Sequence, residues 1–310
     1  MSLNTSSAVT KLRSLTQRFD HAVVAANPFY PTLCTDVPSD GADEEYGMLG
    51  AVPGVREWLG DRSYKELREA NWTIRNKLWE QSLQILRQDM EDDRLGKYDP
   101  VAEQLGIRAA HHPDVLLMSL INGAESGECF DGQYYFDTDH VWGQSGTQSN
   151  LLSPTAANTA SVTTAEFKAA FNAAIAALYG FKDDQGQLLN DEVFEQNDGS
   201  NLAVVVPAAL RQTAYDALTA ALATNGGTNV VLNRPRIITA NSYTSTTSFD
   251  LYKIDAPLKP YIFQRRTPLK RQLADLDNIK EKAVKLLTEA RYNVGYGAWW
   301  CAVRSTFTAA

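Results

Sequence analysis

The chain has 310 residues, a formal net charge of -8, and 44% hydrophobic and 21% charged residues. That length favours two subdomains over a single core, and the composition is that of a folded soluble protein, which excludes the disordered class. The acidic balance argues against a protein that grips nucleic acid through its phosphates, because that takes a concentrated basic face.

No window approaches the roughly 20 apolar residues of a membrane span. Residues 1–16 are Ser/Thr-rich and lack the apolar core of a signal peptide, so the chain is expected to be made and kept in a cytoplasm. Cys34, Cys129 and Cys301 have neither metal spacing nor an even framework, and they read as reduced, buried thiols.

Residues 9–26 carry Leu12, Leu15, Phe19, Val23 and Ala26 at spacings of three and four, a helical stripe. Asn27-Pro28 ends it, because the residue before a proline is pushed out of the helical region. A turn-rich link at 36–41 and a stretch at 44–53 broken by glycine and proline follow, an extended arm with too little apolar surface to fold alone. Residues 56–94 then hold seventeen charged residues and three of the six tryptophans, Trp58, Trp72 and Trp79. As two antiparallel arms this stretch would reach about 50 to 60 Å at about 3.3 Å per residue. Strands inside compact domains have about 5 or 6 residues, so such an arm is built to lie on something outside its own domain. Its apolar alternation changes phase between Trp72, Ile74 and Leu78 on one side and Trp79, Leu83 and Ile85 on the other, which predicts a bulge or strong twist. The closing Glu91-Asp92-Asp93-Arg94 reads as a solvated strand end in preference to a metal site.

Asp99, Pro100 and Glu103 mark a helix start, with Asp99 as the cap. Val101, Leu105, Ile107, Val115, Leu116, Met118, Leu120 and Ile121 carry the helix towards Gly123, and Pro113 predicts one bent helix or two in tandem. The segment would span about 37 Å and form a spine. Residues 129–136 read as a turn feeding an aromatic strand. Asp137-Thr138-Asp139-His140, with His111-His112, is the one place where catalysis could be sought, as a metal-assisted hydrolase using Asp137, Asp139 and His140. Catalytic or metal ligands must be fixed by surrounding groups. Here the aspartates can cap turns and His140 can hydrogen-bond a carboxylate, so the structural reading is preferred and no catalytic, cofactor or metal residue is assigned.

From 151 to 230 only eleven of eighty residues are charged, and a second subdomain is expected. Thr163 and Glu166 form a capping box, and Phe167, Phe171, Ile175 and Leu178 form one stripe. Residues 181–198 read as a loop with a hairpin near Asp184-Gln185-Gly186. A buried strand at 202–206 runs into a helix start at Pro207 with Leu210, Ala214, Leu218 and Leu222 on its face, and strands at 229–232 and 236–240 follow. This order predicts a central sheet flanked by helices. Gly226-Gly227 precedes a strand, so it makes no phosphate cradle. A strand at 248–254 leads to Arg265, Arg266, Lys270 and Arg271, the one basic cluster, which could meet nucleic acid or a neighbour's acidic groups. Residues 281–289 read as a short helix or a strand end. From Tyr292 to Trp300 the alternation has period two, with Gly295 and Gly297 admitting a close neighbour, expected to be the long helix.

Certain blocks in this order carry a resemblance. They are Arg56-Glu57-Trp58 with Gly60-Asp61-Arg62, Asn76-Lys77 with Glu80, residues 85–94, and Leu95-Gly96-Lys97-Tyr98 with Pro100. Further on come Asp131-Gly132-Gln133, Asp137-Thr138-Asp139-His140, Lys259-Pro260 with Ile262-Phe263-Gln264, and Asn293-Val294-Gly295-Tyr296-Gly297. Together they resemble the major capsid proteins of tailed phages with the HK97-type fold, and more closely the major head subunits of Mu-like phages. The resemblance covers residues 36–300 and is weakest over 150–202.

It implies an α+β, HK97-like capsid fold with an N-terminal arm (1–55) and an extended hairpin loop (56–94) lying across the adjacent subunit. A peripheral domain with the spine helix (95–139 and 251–310) would be completed by the final strands, and an axial α/β domain (140–250) would meet its copies around hexamer and pentamer centres. The implied role is structural, not enzymatic, and needs no cofactor: self-assembly into the icosahedral head shell, in the virion, after assembly in the bacterial host cytoplasm. Partners would be copies of the chain, scaffold, portal and cement proteins, with packaged double-stranded DNA nearby but not specifically bound, and no membrane. Arg56, Glu57, Trp58, Arg62, Arg68, Trp72, Arg265 and Arg266 are the subunit-interface candidates.

Overall fold

The structure, a computed structural model, describes residues 5–49, 69–86, 88–89, 95–190, 199–219, 234–274 and 283–310. Helix α1 (Thr5–Ala25) buries Leu12, Leu15, Phe19 and Ala22 on one side, as its spacing predicts. The short α2 (Tyr30–Leu33) follows Pro28 and leads to β1 (Cys34–Pro38), then β2 (Asp43–Leu49), β3 (Glu69–Arg75) and β4 (Lys77–Leu86). The spine, α3 (Asp99–Asn122), is one continuous 24-residue helix with Pro113 inside it. Asp99 is not its cap. Tyr98 holds that position without a side-chain bond, and the Asp99 carboxylate lies 3.1 Å from Arg18 of α1, in the first turn where negative charge still meets the positive helix end. The two helices close on Gly106, where a Cβ would stand 2.5 Å from the Phe19 carbonyl oxygen and 2.9 Å from the Ala22 Cβ.

Short strands β5 (His140–Val141), β6 (Thr147–Gln148), β7 (Leu151–Leu152) and β8 (Thr155–Ala156) precede helix α4 (Thr164–Gly180). Then come β9 (Leu202–Val206), α5 (Arg211–Leu218), β10 (Arg236–Thr239), β11 (Ser248–Lys253), β12 (Tyr261–Ala274), β13 (Ala283–Tyr296), β14 (Ala302–Thr306) and β15 (Thr308–Ala309).

One sheet has the order β1-β12-β13-β4. Residues 281–289, expected as a short helix or strand end, belong from residue 283 to the long strand β13, whose even-numbered residues from Val284 to Val294 are all buried. Burial with period two outweighs the helix-favouring Lys and Glu between them. At the far end of this sheet Ile85 and Val284 join Leu12, Leu15 and Ala102 in a small separate core, so the arm helix, unable to fold alone, is clamped between spine and sheet. The alternation expected to run to Trp300 stops at Tyr296, after which a turn of 3-10 helix spans Trp299–Cys301. The neighbour that Gly295 admits is Ile74 of β3, and the one at Gly297 is the Lys259 and Pro260 backbone, not the spine helix. Residues 129–136 form no named strand. They make a turn closed by the Glu128 and Tyr134 bridge, with Gly132 at a φ of 81°, and bury Tyr135 and Phe136.

The second sheet has the order β10-β9-β11-β14-β7. All five residues of β9 are buried, and β9, α5 and β10 form the expected strand, helix, strand unit with β9 and β10 parallel. The predicted strand at 229–232 and Leu222 lie outside the described residues. The Thr163 and Glu166 capping box forms as its sequence demands, and Asp183 and Gln187 close the hairpin before Leu188. A further expectation fails. β14 was to complete the sheet that holds β13, but the turn at 299–301 redirects the chain and β14 pairs with β11 and β7 instead. Its reward is a buried ion pair: Arg304 donates Nε to Asp250 Oδ1 at 2.7 Å and Nη2 to Oδ2 at 2.9 Å. The same guanidinium reaches the Ile121 carbonyl at the end of the spine at 2.9 Å. A single cluster of buried residues, with Tyr261 and Phe263 of the first sheet and Val204 and Leu251 of the second, runs under both sheets.

Candidate assembly interface

The long hairpin expected over 56–94 has different partners. β3 pairs antiparallel with β2, from Asp43 opposite Arg75 to Leu49 opposite Glu69, while β4 pairs with β13. The ribbon thus begins at residue 43, inside the stretch read as a loose arm. Arg56, Glu57, Trp58, Arg62 and Arg68, and the acidic cluster at 91–94, lie outside the described residues. The phase change between Ile74 and Trp79 is a break between two strands at Asn76, where the chain passes from the ribbon to the sheet. A change of sheet and a bulge leave the same mark in sequence, since each turns the apolar set to the other face.

Polar contacts, from buried to exposed, hold the root of the ribbon. The Asn76 side chain donates to Ser39 Oγ at 2.7 Å and to the Gly41 carbonyl at 3.0 Å. Ser39 Oγ in turn donates to Glu44 Oε1 at 2.8 Å, which also accepts from the amides of Asp40 and Gly41. The Gly41 amide, then the Ser39 hydroxyl and the Asp40 amide, hold the Glu44 carboxyl below its ordinary range. Gln264 of β12, fully buried, accepts from the Tyr46 hydroxyl at 2.8 Å and donates to the Ile74 carbonyl at 3.1 Å, tying both strands of the ribbon to the sheet. Burial pushes the Tyr46 hydroxyl up to about 12, so it remains a donor at neutral pH. Such a network fixes direction, because each member loses its partner if the ribbon tilts.

Among the expected interface residues, Trp72 lies at this root, stacked on Tyr46 with centroids 5.5 Å apart and tilted against Phe130 at 5.8 Å. Arg265 pairs with Asp36 of β1 at 2.7 Å, and Arg266 donates to the Gly41 carbonyl at 2.7 Å. Arg271 clasps Asp20 of α1 through two donors. Three of the four residues in the basic cluster are thus engaged with their own N-terminal arm. Ser39, Asn76 and Gln264 do the positioning; the sequence marked Asn76 and Gln264 only as parts of the blocks that carry the resemblance, with no role attached.

The tetrapeptide considered for hydrolysis is built for support. His140 is 0% exposed, bonded through Nδ1 to Asp131 at 2.7 Å and stacked on Trp299 at 4.0 Å. Asp137 accepts from the amides of Tyr134 and Thr138 within its own turn. The exposed Asp139 carboxyl is raised, chiefly by its hydrogen bond to Asp137. His111 and His112 bond Asp114 and the Tyr292 hydroxyl, each at 2.7 Å. Among the described residues no three His, Cys, Asp or Glu side chains converge for a metal. The hydrolase reading has no support in this arrangement. All three cysteines are buried, as their residue type favours.

Comparison with known proteins adds to this geometry. The family described as the Mu-like prophage major head subunit gpT matches residues 9–162. Over 137 residues the chain is 36% identical to the Mu-like prophage FluMu major head subunit of Haemophilus influenzae; the match covers 44% of this chain and 44% of that protein, so the chain spans less than half the length of that curated relative. Among solved structures, the procapsid of bacteriophage JBD30 matches with a TM-score of 0.55 at 23% identity over 100% of this chain and 77% of that one. The mature capsid of bacteriophage PhiM1 matches with a TM-score of 0.61 at 12% identity over 91% and 87%. At these identities the likeness establishes the fold.

Proposed function

We propose that this chain, whose residues 9–162 belong to the Mu-like prophage major head subunit family and whose fold is the α+β HK97-type capsid fold, is a major capsid protein. Copies assemble into hexamers and pentamers that close as an icosahedral head shell around phage DNA. The observation that carries the reading is the anchored ribbon. A two-stranded ribbon is marginal on its own, yet β2 and β3 are locked at their root by Asn76, Glu44 and Gln264 and run on to a segment of nineteen residues, 50–68. A rigidly aimed ribbon is useful when its far end lies on a neighbouring copy. Repeating that head-to-tail contact around a ring closes hexamers and pentamers, and overlapping arms enlarge an interface in a thin wall.

In this reading the spine and the β1-β12-β13-β4 sheet form the peripheral region, and the α4, α5 and β9 region turns towards the capsomer axis. Scaffold, portal and cement proteins are further partners. The chain works in the virion after assembly in the host cytoplasm. The acidic balance keeps packaged DNA from adhering, and three of the four residues of the basic cluster are engaged with the arm. Purified chain examined by negative-stain microscopy, alone and with scaffold, is expected to give rings, shells or tubes. A chain that stays monomeric at high concentration under both conditions refutes the proposal.

A further inference from the structure

The two edges of the β1-β12-β13-β4 sheet are unlike. On one side β1 covers β12 only from Tyr261 to Arg265. The rest of that edge is spoiled for pairing by Pro268, by register shifts between Arg265 and Lys270, and by Lys270 and Arg271. These are the devices by which proteins keep a strand edge from recruiting another chain. On the other side β4 pairs with β13 over ten residues without a shift, and among the described residues no strand lies beyond it. It carries no proline and, between Leu78 and Leu86, a single charge, Glu80. The Leu86 amide reaches the Tyr98 hydroxyl at 3.5 Å and marks the end of the open stretch.

The side chains along this edge are self-complementary. Leu78 and Leu86, 69% and 47% exposed, stand on the same face of β4, four residues either side of Ser82. We propose that β4 pairs with β4 of a second copy, antiparallel about a two-fold axis through Ser82, continuing the sheet from one subunit into the next. That register sets each exposed Leu78 against the partner copy's Leu86 and each Glu80 against a Gln84, with no like charges opposed between 78 and 86. A register centred on Glu80 would oppose two carboxylates, and a shift of one residue would turn the leucines to the wrong face. The contact is isologous, so it is distinct from the head-to-tail contacts within a ring and joins one ring to the next. The inference rests on the reading that copies of this chain pack together.

The test is an introduced thiol at the axis. Opposed residues of an antiparallel pair have Cα atoms about 4.5 to 5.5 Å apart, within the roughly 4.4 to 6.8 Å that a disulfide spans, and the native cysteines are buried. Ser82→Cys chain, treated with oxidised glutathione before and after assembly, is expected to give a covalent dimer of twice 34.2 kDa on a non-reducing gel. Thr73→Cys, exposed on β3, is expected to stay monomeric. Adding Leu78→Lys and Leu86→Lys to Ser82→Cys sets lysines opposite each other and is expected to abolish the dimer. Absence of the Ser82→Cys dimer in both states, an equal yield from Thr73→Cys, or a dimer indifferent to the lysines overturns the pairing. Microscopy of the same samples separates the two claims. Particles without the disulfide refute the edge contact and leave the shell standing, whereas disulfide-linked dimers that never form particles support the edge contact and refute the shell.

Discussion

Replacing Arg304 by Met tests the buried ion pair that joins β11 to β14 and ties them to the end of the spine helix. The Arg304 side chain is 4% exposed and that of Asp250 is 0% exposed. The guanidinium makes two bonds to Asp250, one to the Ile121 carbonyl and one to Glu125 at 3.0 Å, and it lies over the Phe136 ring at 4.3 Å. Met preserves much of the stem's packing but strands the carboxylate, which retains only the hydroxyls of Tyr243 at 2.9 Å and Tyr252 at 3.0 Å. Removing one partner of a buried pair costs about 3 to 5 kcal/mol, whereas replacing both by neutral groups costs much less. Arg304→Met should therefore lose about 3 to 5 kcal/mol in urea unfolding of the purified chain. Arg304→Met with Asp250→Asn should recover about 1 to 2 kcal/mol of that loss, because a neutral amide still accepts from a tyrosine without a buried charge. A single variant within about 1 kcal/mol of the parent, or a double variant as unstable as the sum of its parts, would refute the argument that the cost comes from a stranded charge.

Gly106→Ala drives a Cβ into the Phe19 carbonyl and should cost about 1 to 3 kcal/mol as α1 is pushed off the spine, read by thermal unfolding and by faster proteolysis of the arm; unchanged stability would mean that the helices slide apart freely. Glu44, whose carboxyl is held low by the Gly41 amide first, stabilises the ribbon root above the ordinary carboxylate range near 4.3, and that contribution is lost as pH falls through its lower folded value. Amide protection factors at Asp40 and Gly41, corrected for the intrinsic pH dependence of exchange, should fall on acidification below about pH 4 and should already be low at neutral pH in Glu44→Gln, whose neutral amide accepts more weakly. Protection independent of pH would exclude the carboxylate as the acceptor that matters. The double variant Arg62→Glu, Arg68→Glu should leave the circular dichroism of the chain unchanged but impair particle formation in sedimentation; normal particles would remove those charges from the interface.

Where a rule is local, sequence and structure agree. The stripe of Leu12, Leu15 and Phe19, the Thr163 and Glu166 box, and the buried run of β9 are all found as read. Each depends on the spacing of neighbours along a single element, and spacing is what a sequence displays. The readings that moved concern partners. The apolar faces of β2, β3 and β4 were visible in part, but β3 chose β2 across nineteen intervening residues. β14 chose the sheet with Asp250 over the one with β13, and Gly295 admitted Ile74 where the spine helix was expected.

By itself, the sequence determined the arm helix, the long spine and the period-two alternation from Tyr292 to Tyr296. Only the tertiary structure decided that β3 pairs with β2 while β4 joins β13, and which strands stand at the edges of that sheet. Periodicity states which side of a strand is buried, not what it is buried against. The choice of neighbour is set by contacts such as Gln264 with Tyr46 and Ile74, which join residues about two hundred positions apart and exist only once the chain has folded.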